Sequence, residues 1–324
     1  MCFSKDEYVL IFLKVIYYLH NFFMLILFQM EQVGLLIMSE KKKLTIPDLA
    51  AAKASRDRLV MVAVGEAMSA AWAERAGVDI IGVGDSLGMT LHGHENTLSI
   101  TVDQMIMHCQ AVRRGAPNTF IIMSMPYGSY STPDVAVLNA TRMMKESGAD
   151  ALKLQLGKEG APIIRAIADA GVPIMSHVGL LPHKIHLMGG FKMQGKSAEA
   201  ALKIIEDAKA IEEAGAIGFE IEAMPHVVGQ AVDKAVSIFT FSIGAGAAGT
   251  CQLLNGYDLI GAFDTFKPKF AKRYANIDET ATNAFAQFAS EVRAGNFPDD
   301  NHSYHMKMEE IEKLKTALDQ RAVK

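Results

Sequence analysis

The chain has 324 residues, half of them hydrophobic, with a formal net charge of -4 and three cysteines. That size and balance describe a globular protein with one barrel-sized core or two smaller ones, and the lack of a basic excess excludes nucleic acid as an expected partner. Cys2, Cys109 and Cys251 are odd in number, far apart and free of CxxC spacing, which indicates neither a disulfide framework nor a zinc site and suits a reducing, cytoplasmic setting.

The first 38 residues contrast with the rest. From Tyr8 to Met30 the chain is almost continuously apolar and long enough for one membrane span, although Lys14, His20 and Asn21 interrupt it. No small-residue cleavage site follows, so a removable signal peptide is not expected. Met38-Ser39-Glu40-Lys41-Lys42-Lys43 reads as an ordinary cytosolic start. Residues 1–38 are therefore read as a leader upstream of a mis-assigned initiation codon, with a signal anchor as the alternative. A membrane enters only if that leader is real. Residues 39–324 are expected to form one catalytic domain.

From Leu44 onward, strand-like runs fall at Leu59 to Val64, Asp79 to Val83, Thr119 to Met123, Ala151 to Leu154, Val172 to Met175, Ile217 to Ile221 and Val236 to Ile243. A weaker eighth candidate lies near Tyr257 to Ala262. Helical patterns occupy Met68 to Ala76, Val102 to Arg114, Pro133 to Glu146, Pro162 to Ala170 and Ala198 to Ala214. Ala76-Gly77, Ser147-Gly148, Ala170-Gly171 and Ala214-Gly215 then supply a glycine at each helix end before the next strand. Strands alternating with helices mean βαβ units and a parallel sheet. Seven or eight units in about 220 residues fit a closed (β/α)8 TIM barrel better than a doubly wound sheet. Two further helices, around Glu279 to Ala294 and His305 to Leu318, are expected to pack outside it.

In such a barrel the strand C-termini form one ring. The second run ends in Asp85-Ser86, which on its own also reads as a helix cap or Asx turn. The third ends at Ser124, the fourth carries Lys153 and Gln155 on one face by the two-residue period, the fifth ends in Ser176-His177 and the sixth in Glu220-Ile221-Glu222. Carboxylates, an ammonium and an imidazole at one mouth suit proton abstraction beside a carbonyl; structural ion pairs use the same residues.

Val83-Gly84-Asp85-Ser86-Leu87-Gly88-Met89 followed by Gly93-His94-Glu95-Asn96-Thr97 resembles the signature of the ketopantoate (3-methyl-2-oxobutanoate) hydroxymethyltransferase family. Further similarity lies in Ala111 to Asn118, His177-Val178-Gly179-Leu180, Gly189 to Gly195, Glu222 with Pro225, Ile243 to Gly246 and Pro268 to Lys272. The resemblance implies a (β/α)8 barrel, a cytosolic decamer, bound Mg2+, and transfer of a one-carbon unit from 5,10-methylenetetrahydrofolate to a small 2-oxoacid in pantothenate synthesis. It implies Asp85 as metal ligand, Ser86, Lys153 and His177 as substrate contacts, and Glu222 as proton acceptor.

Three positions depart from the family pattern. Ser124 stands where the family has an acid in A-D-[LM]-P, Gln155 where it has the acid of K-[IL]-E-G-G, and Ala63-Val64-Gly65-Glu66 where it has T-A-Y-D. Ser124 is then a substrate contact and, with Gln155, a weak metal ligand, so Mg2+ binding is expected to be weak or lost. Glu66 keeps a carboxylate nearby. The leading expectation is a hydroxymethyltransferase; the rivals are a paralogue doing aldol, retro-aldol or isomerase chemistry on another 2-oxoacid, and a non-catalytic paralogue that co-assembles with an active relative.

Gly244 to Gly249 spells GxGxxG too late in the chain for a dinucleotide site, and is read as a loop approaching an anionic ligand. His183 and His186 are read as loop or subunit-contact residues of a flexible cover. Met105, Met107, Met143 and Met144 are read as helix packing.

Overall fold

The computed structural model describes residues 42–265 and 267–322. The expected leader at residues 1–38, with Cys2, lies outside them. Eight strands form a closed parallel barrel in chain order: β1 (Leu59–Ala63), β2 (Ile80–Val83), β3 (Phe120–Ser124), β4 (Ala151–Lys153), β5 (Ile174–Gly179), β6 (Gly218–Glu222), β7 (Phe239–Ile243) and β8 (Cys251–Asn255). Met61 of β1 pairs with Ile80 on one side and Leu253 on the other, which closes the ring.

The strands read as near-continuous apolar runs because both of their faces are buried. Met61, Ile80, Phe120, Ile122, Met175, Phe239 and Phe241 point into the barrel, while Val62, Ile81, Ile121, Met123, Ile174, Phe219 and Ile221 point out to the helices. The helix Ile46–Ser55 sends Leu49 into the interior cluster and so closes the barrel's N-terminal end. Thr101, Thr132 and Ser197 cap the helices Val102–Gly115, Pro133–Ser147 and Ala198–Glu213 by accepting from backbone amides of the first turn. Gly77, Gly148, Gly171 and Gly215 all adopt positive φ at the expected helix ends.

Two expectations are corrected. The eighth strand is Cys251–Asn255, not Tyr257 to Ala262: Cys251 and Leu253 alternate into the interior, and Asn255 ends the strand by accepting from the Tyr257 amide at 3.0 Å to start the helix Gly256–Leu259. Only loop connects β7 to β8, so no helix of that connection covers the outside of the barrel there, and Val60 of β1 is 50% exposed. The helices Ile277–Ala294 and Met308–Ala322 form as expected but do not pack as expected. No residue of the first is buried, nor any of residues 308–321. The Ile277 and Asp278 amides tie the first to the barrel by donating to Ile260 and Gly261 carbonyls at 3.1 and 3.0 Å. Among the described residues, no helix is long and apolar enough to cross a membrane.

Candidate active site

At the C-terminal ends of the strands lies a cavity of about 170 Å³, lined among others by Asp85, Ser86, Ser124, Lys153, Gln155, His177, Glu220 and Glu222. All seven residues that the sequence singled out converge there, from the ends of five strands. Lys153 and Gln155 face the same cavity, as the two-residue period requires. His177 lies within β5 rather than at its end, because the strand runs on to Gly179. Gly179 has φ +95°, and a Cβ there would lie 2.2 Å from the Glu222 carbonyl oxygen. Only glycine permits this approach, in which the Leu180 amide donates to that same oxygen at 3.0 Å. Beyond Glu222, Ala223 is held in the left-handed region at φ 50°, its amide donating to Ile243 and its carbonyl accepting from Gln194. A non-glycine residue there stores backbone strain beside a candidate base.

One wall of the cavity is charged. The partly buried Lys153 ammonium donates to the buried Glu220. His177 places Nε2 3.0 Å from Glu222 and Nδ1 3.9 Å from Glu220. Neither ring nitrogen is aligned with an acceptor, so a fully buried imidazole is left without a directed hydrogen bond. We take the contact with Glu222 as proximity rather than a well-formed bond. Burial raises the Glu220 carboxyl, but Lys153 and His177 outweigh it and hold the group below its ordinary value. Glu222 ends above its ordinary value: burial raises it and Glu220 adds to this, against the pull of His177 and Lys153. Burial disfavours the Lys153 cation, yet Glu220 and Asp85 keep it protonated.

The opposite wall is a directed hydrogen-bond chain. Asp85 Oδ2 accepts from His183 Nε2 and, at 3.1 Å, from Gln155 Nε2, while Gln155 Oε1 accepts from the His183 amide at 2.9 Å. Burial pushes Asp85 up, but His183 and Lys153 hold it below the ordinary carboxylate value. An ionised carboxylate only accepts, so His183 Nε2 donates to it, while His183 Nδ1 lies in hydrogen-bond contact with the Tyr130 hydroxyl. Burial and Asp85 both push Tyr130 upward, which keeps its proton in place.

His183 does lie in the loop segment after β5, as the sequence reading had it, but its ring is buried and joined to Asp85, so it is a member of the site. Sequence reasoning also missed Tyr130, Thr97 and Asp258, and passed over Glu220 as a site residue. The two-residue period from Glu222 was a usable signal for Glu220. Nothing in the loops announces His183 or Tyr130. Thr97 lines the cavity with its hydroxyl buried and unpartnered among the described residues. Asp258 lines it too, its carboxyl pushed up to about 6 by burial against the pull of Arg273. Glu66 instead caps the helix Ala67–Arg75, accepting from the Met68 and Ser69 amides at 2.6 and 3.0 Å. In the loop after β7, a Cβ on Gly244 would meet the ring of Phe270, itself a cavity-lining residue, at 2.6 Å, and one on Gly246 would meet His226 at 2.5 Å.

Residues 43–300 match the family described as ketopantoate hydroxymethyltransferase. The chain belongs to this family. It is 49% identical over 282 residues to 3-methyl-2-oxobutanoate hydroxymethyltransferase 1 of Methylibium petroleiphilum, covering 87% of this chain and 96% of that one. It is 46% identical over 259 residues to the 3-methyl-2-oxobutanoate hydroxymethyltransferase of Geobacillus kaustophilus, covering 80% and 93%. Among solved structures, phosphonopyruvate hydrolase superposes with a TM-score of 0.55 at 14% identity over 86% of this chain and 98% of that chain. A 2,3-dimethylmalate lyase does so with 0.52 at 14% identity over 84% and 98%. At that identity they share the barrel alone. The chain is an enzyme of the ketopantoate hydroxymethyltransferase family.

The donor set does not fit the Mg2+ site that the family resemblance implies. Mg2+ needs oxygen ligands in near-ideal octahedral geometry, including carboxylate oxygens free to coordinate it. Asp85 is the single carboxylate of the expected three, and its Oδ2 is capped by two N–H donors. Gln155 turns its amide nitrogen, not its oxygen, toward Asp85, and Ser124 adds only a neutral hydroxyl. A different group, His177, Glu220 and Glu222, offers ligand atoms all within 4.8 Å of one another. The Lys153 ammonium already occupies Glu220 in that group.

Proposed function

We propose that this enzyme transfers a one-carbon unit from 5,10-methylenetetrahydrofolate to 3-methyl-2-oxobutanoate, a step toward pantothenate, with Glu222 as proton acceptor and with little demand for Mg2+. The observation that carries the reading is the state of Glu222. It is partly buried, with 15% of its side chain exposed, is raised by desolvation, and faces a cavity that also holds a protonated lysine. A base is most effective when its affinity for protons lies nearer the working pH than that of a free carboxylate.

In the proposed sequence Ser86 and the Thr97 hydroxyl receive the oxoacid carboxylate. The Lys153 ammonium stands at the ketone oxygen, where negative charge develops as Glu222 removes the C3 proton. The His183–Asp85–Gln155 chain and Ser124 shape the opposite wall, and His177 stands beside the Glu222 carboxylate and tempers its proton affinity. The enolate then attacks the methylene carbon: a carbon–carbon bond forms, both folate carbon–nitrogen bonds break, water supplies the product hydroxyl, and the two freed nitrogens take up the C3 proton held by Glu222 and the second proton of that water.

The test is C3 deuterium exchange of 3-methyl-2-oxobutanoate in heavy water, followed by product formation on adding the folate, both with and without chelator. Exchange and product formation that persist with chelator and vanish in Glu222→Gln are expected. Wild-type protein that neither exchanges nor forms product overturns the proposal. Ser124 and Gln155 favour a second reading, aldol, retro-aldol or isomerase chemistry on another 2-oxoacid; folate-independent turnover of such an acid would select it.

The proposed enzyme is cytoplasmic and a homo-oligomer, a decamer by family resemblance. Support for assembly comes from Val60 and from Phe285, Phe288 and Val292 of the helix Ile277–Ala294, which are 50, 73, 53 and 46% exposed. Light scattering on the purified full chain tests this; a monomer at micromolar concentration overturns it.

A further inference from the structure

The geometry points to a transition-metal-binding site on the rim of the barrel, outside the catalytic cavity, formed by His92 and His108, with water completing the coordination. His108 lies on the helix Val102–Gly115, and its Nδ1 is 2.6 Å from the Gly65 carbonyl oxygen. A carbonyl can only accept, so Nδ1 carries the hydrogen and the neutral ring presents a lone pair on Nε2. That Nε2 lies 2.8 Å from Nε2 of His92. A ring nitrogen donating to a backbone carbonyl while the other faces out is the arrangement that fixes the tautomer of metal-binding histidines.

Two imidazole nitrogens come this close only with a proton or a cation between them. Bonds of about 2.0–2.1 Å to a tetrahedral Zn2+ would set the two nitrogens about 3.3 Å apart. The gap therefore needs to open by roughly half an ångström, which a small rotation of the exposed His92 ring supplies. Gly93, at φ +70°, turns the chain so that the His94 ring stacks beside that of His92, with centroids 5.7 Å apart at 19°, and buttresses that ring without adding a third donor. An all-imidazole donor set suits Zn2+, Co2+, Ni2+ or Cu2+ and disfavours Mg2+ and Ca2+. This separates the rim site chemically from any hard-cation role of Asp85.

The site joins three segments. Gly65 follows β1 and is itself anchored by donating to the Tyr257 hydroxyl at 3.0 Å; His92 and His94 follow the short helix that Ser86 opens; His108 stands on the next long helix. A bound ion would clamp the loop that carries Asp85 and Ser86 to its neighbours without entering the cavity.

Zn2+ titration of the full chain by calorimetry, and the visible spectrum of the Co2+-loaded protein, test the proposal. One equivalent is expected to bind, with affinity falling at least about tenfold in His92→Ala and in His108→Gln. Glu222→Gln serves as the control for the other candidate cluster and is expected to leave Zn2+ affinity unchanged. Circular dichroism of each variant reports folding; His92 is exposed, so His92→Ala keeps the test valid if His108→Gln unfolds. Absence of stoichiometric binding overturns the site, as does equal affinity in wild type and His92→Ala, or loss of binding in Glu222→Gln alone.

Discussion

The two walls of the cavity solve the same problem, buried charge, in opposite ways. On the Asp85 wall four polar side chains are joined in one directed chain: Tyr130 with His183, His183 with Asp85, and Gln155 with both of the last two. On the Glu222 wall charges crowd without full alignment; Lys153 is shared among three carboxylates, and His177 is close to two of them but bonded squarely to neither. A satisfied network is rigid and holds its protons in place. A crowded, imperfectly satisfied cluster keeps one carboxylate, Glu222, above its ordinary value and ready to take a proton. The first wall therefore reads as shape and the second as chemistry.

That contrast breaks most visibly at Glu222. Glu222→Gln keeps the size and the backbone but removes the base, and is expected to lower kcat by about 10²–10⁴-fold while oxoacid binding measured by calorimetry changes little. An unchanged kcat would erase the distinction between the walls. The wild-type pH profile sharpens the same point. The base works ionised, so activity is full above the Glu222 value and falls as pH drops through it; because burial raises that value, the acid limb should lie above the ordinary carboxylate value of 4.5. An acid limb at or below it would contradict the assignment.

Lys153→Met strikes the balance of the charged wall rather than its chemistry. It strands Glu220, which is only 4% exposed at its side chain, without its cation. Breaking a buried pair from one side costs about 3–5 kcal/mol, so urea unfolding should show a loss of that order, partly restored in Lys153→Met/Glu220→Gln. No recovery in the double variant would mean that the pair is not the source of the loss. On the directed wall, His183→Ala removes one ring that serves both Tyr130 and Asp85. A smaller loss of about 1–3 kcal/mol is expected there, with C3 exchange retained at a reduced rate.

How much of this was legible in the chain follows the same division. The barrel was readable because two-sided burial writes itself as apolar runs with glycine punctuation, and seven strands fell within a few residues of their runs. β8 was not, since Cys251-Gln252-Leu253-Leu254-Asn255 is buried on alternate residues only and follows a glycine-rich loop that resembled a ligand-binding turn. Site residues on strands, such as Lys153, Gln155 and Glu222, could be placed by period and rim position. His183 and Tyr130 could not, because they arrive from loops whose path depends on long-range packing, and their partners lie 98 and 53 residues away for His183–Asp85 and Tyr130–His183. Glu66 misled for a local reason: a carboxylate one residue before a helix finds the free amides of the first turn before it finds a ligand.

The smallest expected effect tests whether the directed wall is an obstacle to metal. Ser124→Asp/Gln155→Glu would put two carboxylates beside Asp85 and remove the amide N–H that now donates to its Oδ2. Three carboxylates and water are a set that Mg2+ accepts, so Mg2+ affinity by calorimetry should rise by about tenfold or more over wild type. The gain should stay modest because His183 Nε2 still occupies the same oxygen. Adding His183→Gln to the double variant should release it and raise the affinity again. Equal and tight Mg2+ binding by the wild type and by both variants would show that the nitrogen donors around Asp85 do not exclude the ion, and the two walls would then differ in alignment but not in what they can hold.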